Sequence, residues 1–326
     1  MLSLREEDNP RAPGSSWRER LHARHQETWD TLRVLGVQPR HHLSQRATYV
    51  LEDALEFLTL LPPGSIAAIV TDPPYGIEYE GKDHAKLRAG RGGVWRIPPS
   101  FDGASRKPLP RFTVLSEGDH RRLQCFFVEF GVRVLRALAP GGHVFIASNP
   151  LLSSMTFYAL QEAGLEKRGE IIRLVQTLRG GYKPKGSEAE FPEISVMPRA
   201  CWEPWGIFRK PFEGTVADNL RRWGTGGLRR VGKDEPLKDL IPCSPTRGRE
   251  KQIAPHPSLK PQRFLRRIVH ASLPLGIGIV YDPFAGSGST LASADAVGYL
   301  ALGTDRDPGY LDLARKAFTG LVALQI

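Results

Sequence analysis

The chain has 326 residues, 40% hydrophobic and 25% charged, an ordinary balance for a water-soluble fold and large enough for one α/β domain or two smaller ones. A formal net charge of +10 points to a polyanionic partner, nucleic acid first. Three cysteines, Cys125, Cys201 and Cys243, with no CxxC pair, argue against a disulfide framework and a cysteine-rich zinc site, so no metal is expected.

In chain order, residues 1–46 are polar and rich in Arg, Glu and His, with an expected helix around Trp17 to Leu35. They have no apolar core like that of a signal peptide, and no segment reaches the length of a bilayer span. The expected location is the cytoplasm, with no membrane partner. From residue 47 the texture changes, and 47–326 reads as the main folded unit. "ATYVLEDALEFLTLLPPGSIAAIVTDPPY" gives strand, acid, short helix, turn and strand. Residues 76–112 form a long loop, a length that inside a compact domain usually serves function.

"EGDHRRLQCFFVEFGVRVLRALAPGGHVFIASN" predicts a helix, a stop at Pro140 with a glycine turn, and a buried strand. "LLSSMTFYALQEAGLEKRGEIIRLVQTL" adds a helix and a strand, and "EISVMPRA" with "WGIFRKP" suggests an antiparallel hairpin. Residues 212–255 are basic and poorly patterned, and "HPSLKPQRFLRRIVHASLPLG" restores a helix. The carboxyl-terminal part reads strand, glycine loop, helix, strand, acid, helix. Alternating strands and helices predict a doubly wound, mostly parallel sheet of the Rossmann-like type, with an antiparallel hairpin at one edge.

Two stretches carry chemistry. In "TDPPYG", Asp72, Pro73, Pro74 and Tyr75 follow an apolar strand, and the two prolines make a stiff extended turn that presents an acid and a ring. In "YDPFAGSGST", a strand runs into Asp282, then a small-residue loop, then a helix starting near Ser289. Glycines admit a ligand to the backbone, and a helix amino terminus presents unpaired N–H groups. The next strand ends in Asp305, where such sheets bind ribose hydroxyls. The loop lacks a P-loop lysine, and Phe284 suits an adenosyl ligand with a cationic tail better than a pyrophosphate.

Together "TDPPYG", "HPSLKP" and "DPFAGSGST", in that order, resemble the amino-group DNA methyltransferases that use S-adenosylmethionine. The catalytic turn precedes the glycine loop by 210 positions, which is the beta-class arrangement, and the resemblance spans roughly residues 47–320. It implies that Asp282, Phe284, Ala285, Gly286, Ser287, Gly288, Ser289 and Thr290 line the methionine end of the cofactor. It implies further that Asp305 holds its ribose, Asp53 its adenine edge, and Ser258 and Lys260 its carboxylate. Asp72, Pro73, Pro74 and Tyr75 would receive the target base. Ser258 and Leu259, the "GSGST" loop and Asp305 depart mildly from the commoner family residues.

The chemistry suits these residue types. An exocyclic amino group is a poor nucleophile because its lone pair is delocalised into the ring. Asp72 and the Pro73 carbonyl can accept its two N–H bonds and stabilise the positive charge that develops on methyl transfer. Tyr75 offers a flat face to a base turned out of the duplex. In the family an Asp at the first position of the turn leans towards adenine N6, and a Ser towards cytosine N4.

The loop 76–112 carries eight Lys or Arg against four acids, and 212–255 contains Arg221, Arg222, Arg229 and Arg230 around Trp223. Both are expected to face double-stranded DNA, the second as the target-recognition region. The resemblance admits a homodimer and a cognate restriction endonuclease as partners. RNA or a protein amide as acceptor, and a non-catalytic DNA-binding module, remain the alternatives at this point.

Overall fold

The computed structural model describes residues 16–35, 40–73, 117–175, 181–246, 248–255 and 259–326. Pro74, Tyr75, Ser258 and the loop 76–112 lie outside them.

The chain opens with α1 (Trp17–Val34), whose start is fixed by a reciprocal cap between Ser16 and Glu19. There follow β1 (Arg40–His42), β2 (Ala47–Leu51), α2 (Ala54–Leu60) and β3 (Ile66–Thr71). All six residues of β3 are buried, the pattern of a strand covered on both faces. Next come α3 (Glu117–Ala137), β4 (Leu138–Ala147), α4 (Ser153–Glu162), β5 (Glu166–Leu174) and β6 (Trp202–Arg209). Then α5 (Val216–Trp223), β7 (Leu240–Pro242), α6 (Gly248–Ile253) and α7 (Gln262–Ser272) lead to β8 (Ile279–Asp282), α8 (Ser289–Ala296), β9 (Leu300–Asp305) and α9 (Pro308–Val322).

The strands form one sheet in the order β1-β2-β9-β8-β3-β4-β6-β5-β7. Pairing is parallel from β2 to β4, and β6 runs antiparallel to both β4 and β5. One face packs against α7, α8 and α9 through Phe264, Ile268, Leu291 and Phe318. The other packs against α1 to α4 through Trp29, Phe57, Phe130 and Leu160. The helix α1 therefore shares the core of the sheet, with Trp29 and Leu32 fully buried.

This order places the site. From β8 the chain winds through α8 to β9 on one side, and from β3 through α3 to β4 on the other. The point where the winding reverses, between β8 and β3, opens a crevice beyond the carboxyl ends of the strands, where doubly wound sheets bind ligands.

Two local expectations are corrected. The stretch around Pro140 is not a turn, because β4 begins at Leu138 directly after α3. The strand absorbs Pro140 at a register shift opposite Ile66–Ala68, and Gly141 takes a positive φ of 76°. Nor does "EISVMPRA" pair with "WGIFRKP". The partners of β6 are β5 and β4, with Trp205 opposite Ile171 and Ala147. At the end of β5 Val175 N–H donates to Cys201 O at 2.7 Å, and residues 181–201 form an irregular ribbon in which Val196 N–H donates to Tyr182 O at 2.9 Å.

Candidate active site

Asp72 emerges at the carboxyl end of β3, one residue after the buried Thr71. The Thr71 hydroxyl donates to Asp282 Oδ1 at 2.7 Å and so ties the ends of β3 and β8 together. Asp282 Oδ1 also accepts the Phe284 N–H at 3.0 Å, which turns the chain into the glycine loop. Thr290 bonds the same carboxyl from the first turn of α8. Burial pushes Asp282 up to about 6 against these three hydrogen bonds, and the neighbouring Asp72 charge adds to the rise.

The loop is held from three sides. Ala285 N–H donates to Thr304 O at 2.8 Å, Gly286 N–H donates to Asp305 Oδ2 at 3.0 Å, and the Tyr49 hydroxyl donates to the Gly286 carbonyl at 2.9 Å. Gly286 and Gly288 have φ of 48° and 75°, the left-handed region that favours glycine. Ser287 and Ser289 share a hydrogen bond at 3.1 Å and are buried with Ala285 and Thr290. The Phe284 ring turns into the apolar layer, 5.6 Å from Phe130 and 6.4 Å from Phe126 between centroids. Burial pushes Asp305 up to about 6 as well, against backbone bonds from Asp307 and Gly286. On the next strand Asp53 caps α2, accepting from Leu55 N–H at 2.8 Å, while Glu52 N–H donates to Asp305 O at 3.0 Å. Asp53, Asp282, Asp305 and Asp72 thus share the carboxyl edge of the sheet.

Lys260 enters that edge from the turn before α7. Its Nζ lies 2.6 Å from Asp72 Oδ2 and 3.4 Å from Glu203 Oε2. Glu203 also accepts from Arg173 at 3.2 Å and from the Trp205 ring N–H at 2.7 Å, and Arg173 donates to Ser244 O at 3.3 Å. Burial draws Lys260 down, but Asp72 and Glu203 outweigh it and raise the ammonium above its ordinary value. Burial raises Glu203, yet Lys260 and Arg173 outweigh it and hold the carboxyl below its ordinary range. Phe264 closes the group, 5.6 Å beneath Arg173 and 5.2 Å from the Trp205 ring.

Tyr49, Thr71, Arg173, Glu203 and Trp205 join the site in addition to the residues expected from the sequence motifs. Arg173 in "EIIRLV" and Glu203 between two tryptophans carried a usable signal, because a charge inside a buried strand requires a partner.

The four arginines expected at the DNA are not brought to this edge. Arg221 pairs with Asp218, the Arg222 carbonyl accepts from Arg24, and Arg229 donates to the Tyr299 hydroxyl at 2.9 Å, while Arg230 is exposed. Trp223 lies near Gly64, before β3, and Arg229 near Gly276, before β8. This is the amino edge of the sheet, a strand length of roughly 20 Å from Asp72 at about 3.3 Å per residue. Here α5 also serves as the seat for α1, through the Arg24 bond to the Arg222 carbonyl. Among the described residues no group of His, Cys, Asp and Glu could hold a metal ion, and no helix is long and apolar enough to cross a membrane.

A family model described as DNA methylase, of the N6/N4 type, matches residues 66–316. The type II methyltransferase M.HindIII of Haemophilus influenzae is 25% identical over 287 residues, covering 80% of this chain and 92% of its own. The type II methyltransferase M2.DpnII of Streptococcus pneumoniae is 36% identical over 89 residues, 27% of this chain and 33% of its own. Among solved structures, a Thermus thermophilus protein assigned as a DNA modification methylase, in complex with S-adenosyl-L-methionine, superposes with a TM-score of 0.52 at 20% identity over 84% of this chain and 95% of its own. The cytosine-N4-specific PvuII DNA methyltransferase gives 0.54 at 14% identity over 86% and 88%. At these identities the structures speak to the fold.

Proposed function

The chain belongs to the S-adenosylmethionine-dependent DNA methylases of the N6/N4 family, and from that premise we propose that it methylates the N6 amino group of adenine in duplex DNA, with Asp72 and the Pro73 carbonyl as acceptors of the two amino hydrogens. The observation that carries this reading is the meeting of Asp72 with Asp282 across the switch point, fixed by the Thr71 bond at 2.7 Å. It sets Asp72 beside the acid that opens the glycine loop.

When bound, S-adenosylmethionine supplies an electrophilic methyl carbon on a cationic sulfur. The residues present suit such a group. Asp282 and Asp305 are buried acids that a cation and hydroxyl donors would satisfy, and Gly286 and Gly288 leave the backbone bare. In this reading Asp305 takes the ribose hydroxyls, Asp53 the adenine edge, and Asp282 with residues 284–290 the methionine end. Asp72 orients the amino nitrogen and stabilises the charge that grows there, an interaction absent from the ground state and therefore effective in catalysis.

The ribbon 181–201 supports a DNA-facing role at this edge, beside the one proposed for Arg221, Arg222, Arg229 and Arg230. Tyr182, Ile194, Val196 and Trp202 are 38–63% exposed there, interspersed with Lys183, Lys185 and Arg199. A two-stranded ribbon fits the major groove. A homodimer and a cognate restriction endonuclease extend the same reading, which the family resemblance supports. Digesting treated DNA to nucleosides and weighing the products tests the acceptor. The expected product is N6-methyladenine, and N4-methylcytosine alone would overturn it.

A further inference from the structure

The family resemblance would have Lys260 hold the carboxylate of the cofactor. The structure gives it another occupation. Its side chain is 11% exposed and that of Asp72 19%, so their 2.6 Å contact is shielded from the screening that makes surface pairs weak. Glu203 holds the ammonium from a second direction at 3.4 Å. Glu203 is itself fixed by Arg173 and by the Trp205 ring N–H, from two neighbouring strands.

We propose that Lys260 is a positioning residue for the acceptor carboxylate: clamped by Glu203, it sets the rotation of Asp72 and keeps it ionised beside the buried Asp282. The inference rests on the reading of Asp72 as acceptor of the amino hydrogens.

Two neighbouring acids, Asp72 after β3 and Asp282 at the end of β8, explain the need. Asp72 and Asp282 repel, and burial already drives Asp282 towards protonation. A protonated Asp72 would offer a donor where the amino group needs an acceptor. The charged groups around Asp72 are Lys260 before α7, Asp282 from β8, Glu203 from β6 and Arg173 from β5, with Glu250 of α6 acting on Arg173. Arg173 and Lys260 balance Glu203 and Asp72, so these four groups carry no net charge when all are ionised. Removing the lysine leaves Asp72 and Glu203 both anionic without the cation between them. Removing the charge of Glu203 leaves the lysine wholly to Asp72.

The two removals therefore act on Asp72 with opposite sign, which a merely structural role would not produce. The test is the acid limb of the single-turnover methyl-transfer rate, at saturating S-adenosylmethionine, for wild type, Lys260→Met and Glu203→Gln. A close charge moves a carboxyl by about one to three pH units. The Lys260→Met limb should move up by at least about one unit, with the rate on that limb falling in proportion. The Glu203→Gln limb should move down. Calorimetry of S-adenosylmethionine binding runs alongside. An unmoved limb in Lys260→Met, with cofactor affinity at least about ten-fold weaker, would return the lysine to the cofactor carboxylate and overturn the proposal. Should Lys260→Met fail to fold, Glu203→Gln decides alone: a limb unmoved or moved up overturns the inference. A wild-type protein that methylates no base at any pH sinks the reading of Asp72, whereas an active wild type with unmoved limbs sinks only the role of Lys260.

Discussion

Cofactor affinity should depend steeply on pH, through Asp282 and Asp305. Burial pushes both up to about 6 from an ordinary value of 3.8. A sulfonium and two ribose hydroxyls call for the ionised carboxylates, so binding must expel any proton held there. Each carboxyl then weakens binding by a factor of one plus ten to the power of the difference between its pKa and the pH. Near pH 5 that is about eleven-fold for each and about a hundred-fold for both, relative to pH 7.5. Titration calorimetry between about pH 5 and pH 7.5, in buffers of different ionisation enthalpy, reads both the affinity and the protons released. Asp305→Asn should reduce the dependence to one carboxyl. The stability of the cofactor-free protein carries the matching sign. Both pKa values are raised on folding, so the folded chain keeps protons that the unfolded chain releases. Their stabilisation is complete below about 3.8 and is lost as pH rises through about 6. Saturating cofactor should cancel that loss. An affinity flat from pH 5 to pH 7.5 would refute both the placement of the cofactor and the role of the two acids.

Asp72→Ala should lower methyl transfer by about a hundred- to a thousand-fold while DNA binding persists, as followed by tritium transfer and gel shift. Tyr49→Phe deletes the hydroxyl that holds the Gly286 carbonyl at 2.9 Å. A buried hydrogen bond is worth about 1 kcal/mol, so calorimetry should show cofactor binding about five-fold weaker. Gly303→Ala would set a methyl group 2.6 Å from Leu291 Cδ1 and 2.9 Å from Ala285 Cβ. The overpacking should cost about 1–3 kcal/mol in a denaturant melt. Replacing Arg221, Arg222, Arg229 and Arg230 by Ala should lower the melting temperature, by loosening α5 and the Tyr299 contact, while the methylated sites mapped by single-molecule sequencing stay the same.

The parallel fold was legible in the sequence because its signals are local. A strand buried on both faces reads as an apolar run, as in "SIAAIV", and a strand-to-helix turn that needs positive φ reads as glycines, as at Gly286 and Gly288. The acids at strand ends, Asp72, Asp282 and Asp305, were visible for the same reason, since each directly follows its apolar run. Pairing across the chain was not legible. The partner of β6 depended on which strand lay beside it, and Pro140 read as a stop because its tolerance by β4 comes from the register shift with β3. The same limit hid the setting of Lys260: Asp72, Arg173, Glu203 and Lys260 are scattered over 189 positions and meet only where β3, β5, β6 and the turn before α7 converge. The setting of the arginines around Trp223 was hidden in the same way. Composition records how many charges a segment carries, but which edge of the sheet they occupy follows from the return of β6 to the amino ends of its neighbours, and that is set by tertiary packing alone.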